Sequence, residues 1–599
     1  MSRRAHGQLR RSQVITTYGP GALIDLPRHS AIVGGLDSWP APSELEEILE
    51  PRLARKLQVI TGVVSPRLYA PPVDSNDPGA PVRGIVLWRF PEWFVVQEAH
   101  GDEERERSRR LVHRKGLDAK GRFDGRPVVA TRFVRACPRG HVDDLDWHGF
   151  VHGGASGCAR TRQLWLDERG TSGDLSELFV RCQCGASRSL AEATQIEMNP
   201  LGTCRGARPW LGRNAHEGCD RPSRLLIRTA SNAYFPQVVS VLSLPDRESE
   251  LESVVRELWD DLQIVETAED LAVLKRKPKV AARLAGFPSE EVLAAIRAVR
   301  GGRGAERAVK QVELDALLAA PEGFGDDVPI DPDFHARRLP ERLWRRSRRT
   351  EGIAAVTLVH RLREVLALVG FTRFEPITPD VDGEYDTDVQ RSQIALEPAW
   401  FPAVENRGEG VFIQLRADSV NAWLARPAVV SRVEALAEGH RRWAEARKSQ
   451  RSFPGGPYVL LHTLAHLLLQ SLAVRCGYAA SSIRERIYVD PQVGRFGLLL
   501  YTGSSDAEGT LGGLVHQGRY IEEHLAHAMR MSALCSNDPI CALHLPGKSL
   551  EGRWLHGAAC HGCALVAETC CEMHNDYLDR ALVVPVLATQ EAAFFQSLP

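Results

Sequence analysis

The stretch CHGCALVAETCCEMHNDYLDR, residues 560–580, sets four cysteines in a short span. Cys560 and Cys563 form a CxxC pair that lets two sulfurs grip one ion. Cys541 upstream and one of Cys570 and Cys571 downstream complete a tetrahedral thiolate set. Four thiolates leave no coordination position for water or substrate, so such a centre braces a fold. Binding worth ~10–16 kcal/mol in small zinc peptides rivals the ~5–15 kcal/mol net stability of a domain. Loss of one ligand is therefore expected to unfold the region. Two other readings compete. Buried free cysteines act as small hydrophobes, and CxxC is also a thiol–disulfide exchange motif. Against exchange, no strand precedes the pair and further thiols crowd it.

A second set lies upstream, in CPRGHVDDLDW, Cys158, VRCQCGASRSL, Cys204 and Cys219. Cys137 and His141 straddle a Pro-x-Gly turn, and Cys182 and Cys184 flank a single residue after an apolar strand. Both pairs resemble the knuckles of a zinc ribbon. With His152 or His216 added, the ligands suffice for one Zn2+ site or two, and their partition is open.

The 599 residues are 43% hydrophobic and 25% charged, ordinary for a soluble globular chain. Roughly three to five domains fit that length. A formal net charge of −1 excludes binding to nucleic acid by bulk charge, so any polyanion site is a local patch. MSRRAHGQLRRSQVITTYGPG has no apolar core and does not read as a secretory signal. YVLLHTLAHLLLQSLAV is interrupted by His462, His466 and Gln470 and is short of the ~20 apolar residues of a membrane span. It reads as a buried helix. A cytoplasmic setting without a membrane partner is expected, where close cysteines favour metal over disulfides.

The pattern predicts an α+β, multidomain chain with zinc-ribbon-like metal modules and a helical middle segment. Residues 1–130 read as mixed structure, with a capping box from Ser43 to Glu46 and a strand pair around Pro91. Residues 131–245 form the cysteine-rich module. Residues 246–350 read as helical and charged, with Leu251, Val254, Val255, Leu258 and Leu262 on one helix face. Residues 351–450 are mixed, with a helix at VHRLREVLALVG and a strand at GVFIQL. Residues 451–599 carry the long apolar helix, a strand at FGLLLYTG and the four-cysteine site.

Other motifs carry less. LHLPGKS ends like a phosphate-binding loop, but Ala542 stands where the first glycine is required. His462 and His466 are four apart on one helix face, yet Thr463 replaces the glutamate of a zinc hydrolase, so hydrogen-bonded core histidines are expected. YTGSSDAEGTLGGL is read as a tight strand-to-helix corner ahead of a phosphate cradle. Asp143, Asp144 and Asp146 are read as a solvated loop ahead of a Mg2+ chelate. The basic run Arg337, Arg338, Arg342, Arg345, Arg346, Arg348 and Arg349 surrounds Trp344. Guanidinium forks grip phosphate and an aromatic stacks on a base, so Arg345, Arg346, Arg348, Arg349 and Trp344 are candidate DNA contacts. Arg10 and Arg11 belong to a second, weaker basic arm. The same charges also suit a protein partner.

Taken together, QLRRSQVITTYGPGALIDLP, CPRGHVDDLDW, LDERGTSGDL, RTASNAYFPQ, RLREVLALVGFTRFEP, VENRGEGVFI, HTLAHLLLQSLAVRCGY, GTLGGL and the CHGC…CCEMHNDYLDR segment resemble the DrmB family. The matches run in order from near residue 8 to near 580. The resemblance implies a subunit of DISARM, a bacterial anti-phage system of restriction-modification character. It also implies partnership with DrmA, a superfamily 2 helicase, and action on DNA. The C-terminal part resembles a domain of unknown function appended to some such helicases, which carries a four-cysteine metal site. The family's last ligand cysteine precedes a glutamate, which selects Cys571.

No acid pair, nucleophile triad or helicase box emerges. The expected function is a non-catalytic, zinc-stabilised subunit that partners a helicase and helps bind DNA, with ATP hydrolysis supplied by the partner. A metal-dependent nuclease using His141, Asp143 and Asp144 is one alternative. A purely protein-binding scaffold is the other.

Overall fold

In the computed structural model, residues 7–596 are described except 28, 74–83, 98–106, 154–156, 245–246, 301–307, 325–330, 348–349, 378, 381, 384, 386–390, 448, 478, 503–512, 547–552 and 588. The chain is α+β and multidomain, with several sheets and cysteine clusters suited to zinc. It divides into two compact units. The first comprises residues 1–240, 365–378 and 385–405, and the second residues 241–364, 379–384 and 406–599.

The first unit carries two antiparallel sheets that position cysteines. Its strands are β1 (Trp93–Val96), β2 (Arg107–His113), β3 (Val128–Ala130), β4 (Phe133–Ala136) and β5 (Val142–Asp143). After the short helix α1 (Trp147–Val151) come β6 (Leu164–Glu168), β7 (Leu178–Cys182), β8 (Ser187–Ser189) and β9 (Arg224–Ile227). One sheet runs β8-β7-β6-β2-β1-β3 and the other β5-β4-β9. Along β7, Leu178, Val180 and Cys182 are buried while Phe179 and Arg181 are partly exposed, the period-two alternation of a half-buried strand. The buried set packs with Leu164, Leu166, Trp147 and Phe150.

The expected capping box at Ser43–Glu46 does not open a helix. Residues 42–44 make a single turn, and the helix runs instead from Pro51 to Thr61. Pro51 presets the first helical φ, and Gly62 closes the helix in the left-handed region at φ +73°. Two strands do flank Pro91, Leu87–Arg89 and β1, but they do not pair with each other as expected: the first joins a three-stranded sheet with His29–Val33, and β1 lies in the six-stranded one.

The second unit begins with α2 (Arg247–Glu257), α3 (Ser289–Arg300) and α4 (Val309–Leu318), the helical middle segment. Leu251, Val254, Val255, Leu258 and Leu262 are all buried together, as their spacing predicts. Then follow β10 (Phe334–Arg338), β11 (Ile353–Thr372, of which residues 353–364 belong to this unit), β12 (Trp400–Leu415, of which residues 406–415 belong to it), α5 (Pro427–Arg447), α6 (Gly456–Cys476), β13 (Ile483–Asp490), β14 (Arg495–Thr502) and α7 (Ile521–Ala533). The expected helix at VHRLREVLALVG is instead part of β11. Its apolar residues fit either period because both strand faces are covered, and such a run is ambiguous in sequence. Its charges are paired inside: Glu364 accepts from the Tyr501 hydroxyl at 2.7 Å and from Arg484 at 3.2 Å.

Helix α6 packs on α7, β13 and β14 in the largest core. Residues 456–475 are long and apolar enough to cross a membrane, but 89% of the apolar window is buried inside the protein. A helix apolar on all sides is what a core centre requires.

Candidate metal centres

Four groups of metal-type ligands converge among the described residues. The first is Cys137, His141, Cys204 and Cys219. Cys137 leaves β4 and the chain turns through Gly140, at φ +90°, so that His141 returns beside it. Cys137 Sγ lies 3.4 Å from His141 Nδ1 and 3.9 Å from Cys219 Sγ, and Cys204 Sγ lies 3.5 Å from His141 Nδ1. A zinc tetrahedron with bonds of ~2.3 Å to sulfur and ~2.0 Å to nitrogen has S···S edges of about 3.8 Å and S···N edges of about 3.6 Å. The donors stand at that spacing. His141 Nε2 is 2.6 Å from Glu217, so the carboxylate holds that proton and Nδ1 faces the thiols.

Three features support this knuckle. Arg373, fully buried, donates to the carbonyls of Gly21, Gly140 and Ala233, and Ser392 Oγ donates to the Arg139 carbonyl at 2.6 Å. Gly206 sends its amide to Cys204 Sγ at 3.3 Å. A Cβ at Gly206 would stand 1.7 Å from the Glu217 carbonyl oxygen, at φ +65°, so only glycine fits.

The second group is His152, Cys158, Cys182 and Cys184. Cys182 ends β7, and Gly185 at φ +97° turns the chain so that both sulfurs face one point. Cys158 and Cys182 sulfurs are 3.7 Å apart, and His152 Nε2 is 3.2 Å from Cys184 Sγ. His152 Nδ1 bonds the His148 carbonyl at 2.8 Å, which leaves Nε2 for the centre. The sequence left His152 and His216 open. His152 joins this group, whereas His216 Nδ1 lies 3.4 Å from the Arg205 carbonyl and joins neither.

The third group is Cys535, Cys541, Cys560 and Cys563. Sulfur separations are 3.4 Å for Cys535–Cys560 and 3.7 Å for both Cys541–Cys563 and Cys560–Cys563. The Asn537 amide donates to Cys535 Sγ at 3.4 Å. Here the sequence expectation is corrected: Cys535, not Cys571, is the fourth member. Its C-x5-C spacing to Cys541 is wider than a knuckle and carried no signal by itself. Cys571 instead stands with His462, His466 and Glu485 in the fourth group.

In each cysteine-rich group one thiol is drawn down toward the thiolate. Hydrogen bonding from Cys137 brings Cys204 to about 4, an amide from Ala186 and then His152 bring Cys184 to about 6, and Cys563 brings Cys541 to about 5. Crowded sulfurs share protons, and a cation takes the place of those protons. None of the three sets has a spare donor position, so each is suited to bracing rather than to activating water.

The acidic loop is otherwise engaged. Asp143 pairs with Arg135 at 2.5 Å, and Asp146 caps α1 through the Gly149 amide and pairs with Arg160 at 2.9 Å. Burial pushes the Asp144 carboxyl up to about 7, and it accepts the Glu92 amide at 3.0 Å. These carboxylates do not converge, and His141 belongs to the first thiol group, which disfavours the nuclease reading.

The basic run is not one surface. Arg337 and Arg338 lie on β10, and Trp344 ends a single helical turn, Glu341–Trp344. Trp344 is 2% exposed, so it is a core residue and cannot stack on a base. Arg345 is held by Glu341 at 2.6 Å and by the Ile353 carbonyl. Arg346 is exposed and lines a cleft of about 310 Å³ with Arg475, Arg519, Arg530, Glu522 and Glu523. Arg348 and Arg349 lie outside the described residues, as do residues 547–549 of the loop-like GKS and most of GTLGGL. Arg10 is exposed, and Arg11 pairs with Glu46 at 2.7 Å.

Comparison with known proteins follows these divisions. Residues 10–235, which contain the first two groups, match a domain family of unknown function, DUF8724. Residues 464–564, which contain the third, match the MrfA Zn-binding domain. DISARM protein DrmB of Bacillus paralicheniformis is 32% identical over 486 residues, spanning 79% of this chain and 84% of that protein. With thiol clusters in both matched domains and this extent of likeness, the chain belongs to the DrmB family of DISARM proteins.

Proposed function

We propose that the chain is a non-catalytic, zinc-braced subunit of a cytoplasmic anti-phage complex of restriction-modification character, which partners a DrmA-like superfamily 2 helicase and helps bind DNA. The observation that carries this reading is the closure of the three thiol-rich groups: each has four protein donors and no place for a reacting ligand. Such centres hold surfaces in shape and leave the motor chemistry to another chain. The cleft bearing Arg346, Arg475, Arg519 and Arg530 supports a polyanion contact, since three of these guanidinium groups are exposed in a chain of near-zero net charge.

The test is to purify the full chain alone and with the helicase encoded beside it. The chain alone is expected to turn over no ATP and cut no DNA, and the pair to bind DNA more tightly than the helicase alone. ATP turnover by the isolated chain, or DNA affinity of the pair equal to that of the helicase alone, would overturn the reading. A protein-docking role for the same arginines is the second reading, favoured by Glu522 and Glu523 among them. Replacing Arg346, Arg519 and Arg530 with alanine separates the two: loss of helicase association with unchanged DNA affinity supports docking.

A further inference from the structure

We propose that His462, His466, Glu485 and Cys571 form a fourth metal centre, a closed mixed-ligand zinc site inside the C-terminal core, separate from the four-cysteine group. The four donors come from three elements. His462 and His466 are four residues apart on α6, which puts both rings on one face, 4.6 Å between centroids. Glu485 comes from β13, and Cys571 from the end of the single turn Glu568–Cys570, far along the chain. All four are buried, the two histidines completely.

Their donor atoms meet. His462 Nε2 is 2.9 Å from Glu485 Oε1 and 3.1 Å from Cys571 Sγ, and His466 Nε2 is 3.3 Å from the same carboxylate oxygen. A filled zinc tetrahedron has N···O edges of about 3.3 Å and S···N edges of about 3.6 Å, so an ion enters with shifts of about half an ångström or less. His466 Nδ1 is 2.8 Å from the Ala564 carbonyl, which fixes its proton on that nitrogen and its lone pair on Nε2. Cys571 Sγ accepts the amides of Met573 at 3.4 Å and Asn575 at 3.1 Å. The amide two residues on also meets Cys204 and Cys535, in the thiol-rich groups. To bring the second amide round, His574 and Asn575 adopt φ of +52° and +66°, which non-glycine residues hold only when something over-determines the turn.

The centre also has unmet demand. Glu485 Oε2 is buried with no hydrogen-bond partner among the described residues. An orphaned carboxylate oxygen in a core is costly and marks a missing partner. A divalent ion with one carboxylate, one thiolate and two neutral imidazoles is electroneutral, which suits a buried site. The competing arrangement is a hydrogen-bonded cluster in which one imidazole carries a proton against Glu485. Two nitrogens, one oxygen and one sulfur are zinc-type donors, and the enclosure leaves no route for substrate, so the role is to clip α6, β13 and the Cys571 turn together. This inference is independent of DNA or helicase binding.

The full chain should hold four zinc ions by native mass spectrometry with elemental analysis. X-ray absorption at the zinc edge should report eleven sulfur donors spread over four ions, against ten over three if this centre is absent. A His466→Gln/Cys571→Ser double variant should hold three. Three ions in the wild type, or four in both proteins, would overturn the proposal. Should the variant fail to fold, the wild-type count and sulfur average decide alone.

Discussion

Cys570 and Cys571 are adjacent and both buried, yet among the described residues only Cys571 of the two joins a group of metal-type ligands. Cys535 reaches the four-cysteine group from a turn outside the motif that drew attention to it. Cys535→Ser is therefore expected to release one zinc ion per chain and loosen the region around Cys541, while Cys570→Ser keeps every ion. Elemental analysis of both variants checks this. Gly206 is as exacting as a ligand, because any side chain collides with the Glu217 carbonyl. Gly206→Ala should open the first knuckle, and zinc release to a colorimetric chelator should become faster by an order of magnitude or more, with the second group unaffected. The sequence showed Cys137, His141, Cys182, Cys184, Cys560 and Cys563 because short spacings force their sulfurs and nitrogens together. It hid Cys535 because a C-x5-C spacing is wider than a knuckle, and Glu485 and Arg373 because their partners are distant in the chain.

At the scale of elements, α6 organises the second unit. Leu460, Leu461, Leu464, Leu468 and Leu472 are all at most 1% exposed, so the helix has no solvent face over most of its length. Leu468→Ala should cost about 2–5 kcal/mol in the unfolding of this unit, read as a shift of its denaturant midpoint. The buried pair Arg432–Asp579, at 2.6 Å and 3.1 Å, ties α5 to the C-terminal segment. Arg432→Met leaves Asp579 uncompensated and should cost about 3–5 kcal/mol by the same measurement. Helices with one polar face, such as α2, and strands with alternation, such as β7, were legible. Strand β11 was not, since burial of both faces erases the period that separates strand from helix.

For the molecule as a whole, zinc held by the thiol-rich groups would make metal binding and folding one equilibrium in those regions. Exhaustive chelation is expected to leave regions 131–245 and 535–582 open to protease while α2–α3 persists, a contrast that limited proteolysis with mass mapping reads directly. Contact with DNA would be mainly electrostatic, so the affinity of the helicase pair should fall with salt. Alanine at Arg346, Arg519 and Arg530 should shallow the slope of log K against log salt by about 2–3 if all three meet phosphate. A slope unchanged by the triple substitution would locate the DNA elsewhere.

By itself the sequence determined an α+β chain with cysteine clusters of metal-ligand type and no advertised reaction chemistry, because cysteine spacing, apolar periodicity and composition are local properties. The tertiary structure alone decided which donors share a point: Cys535 with the CxxC pair, His152 with Cys184, and Cys571 with two helix histidines and a strand glutamate. A metal centre asks only that four atoms stand some ångströms apart, and residues far apart in the chain satisfy that demand only once the core has placed their backbones.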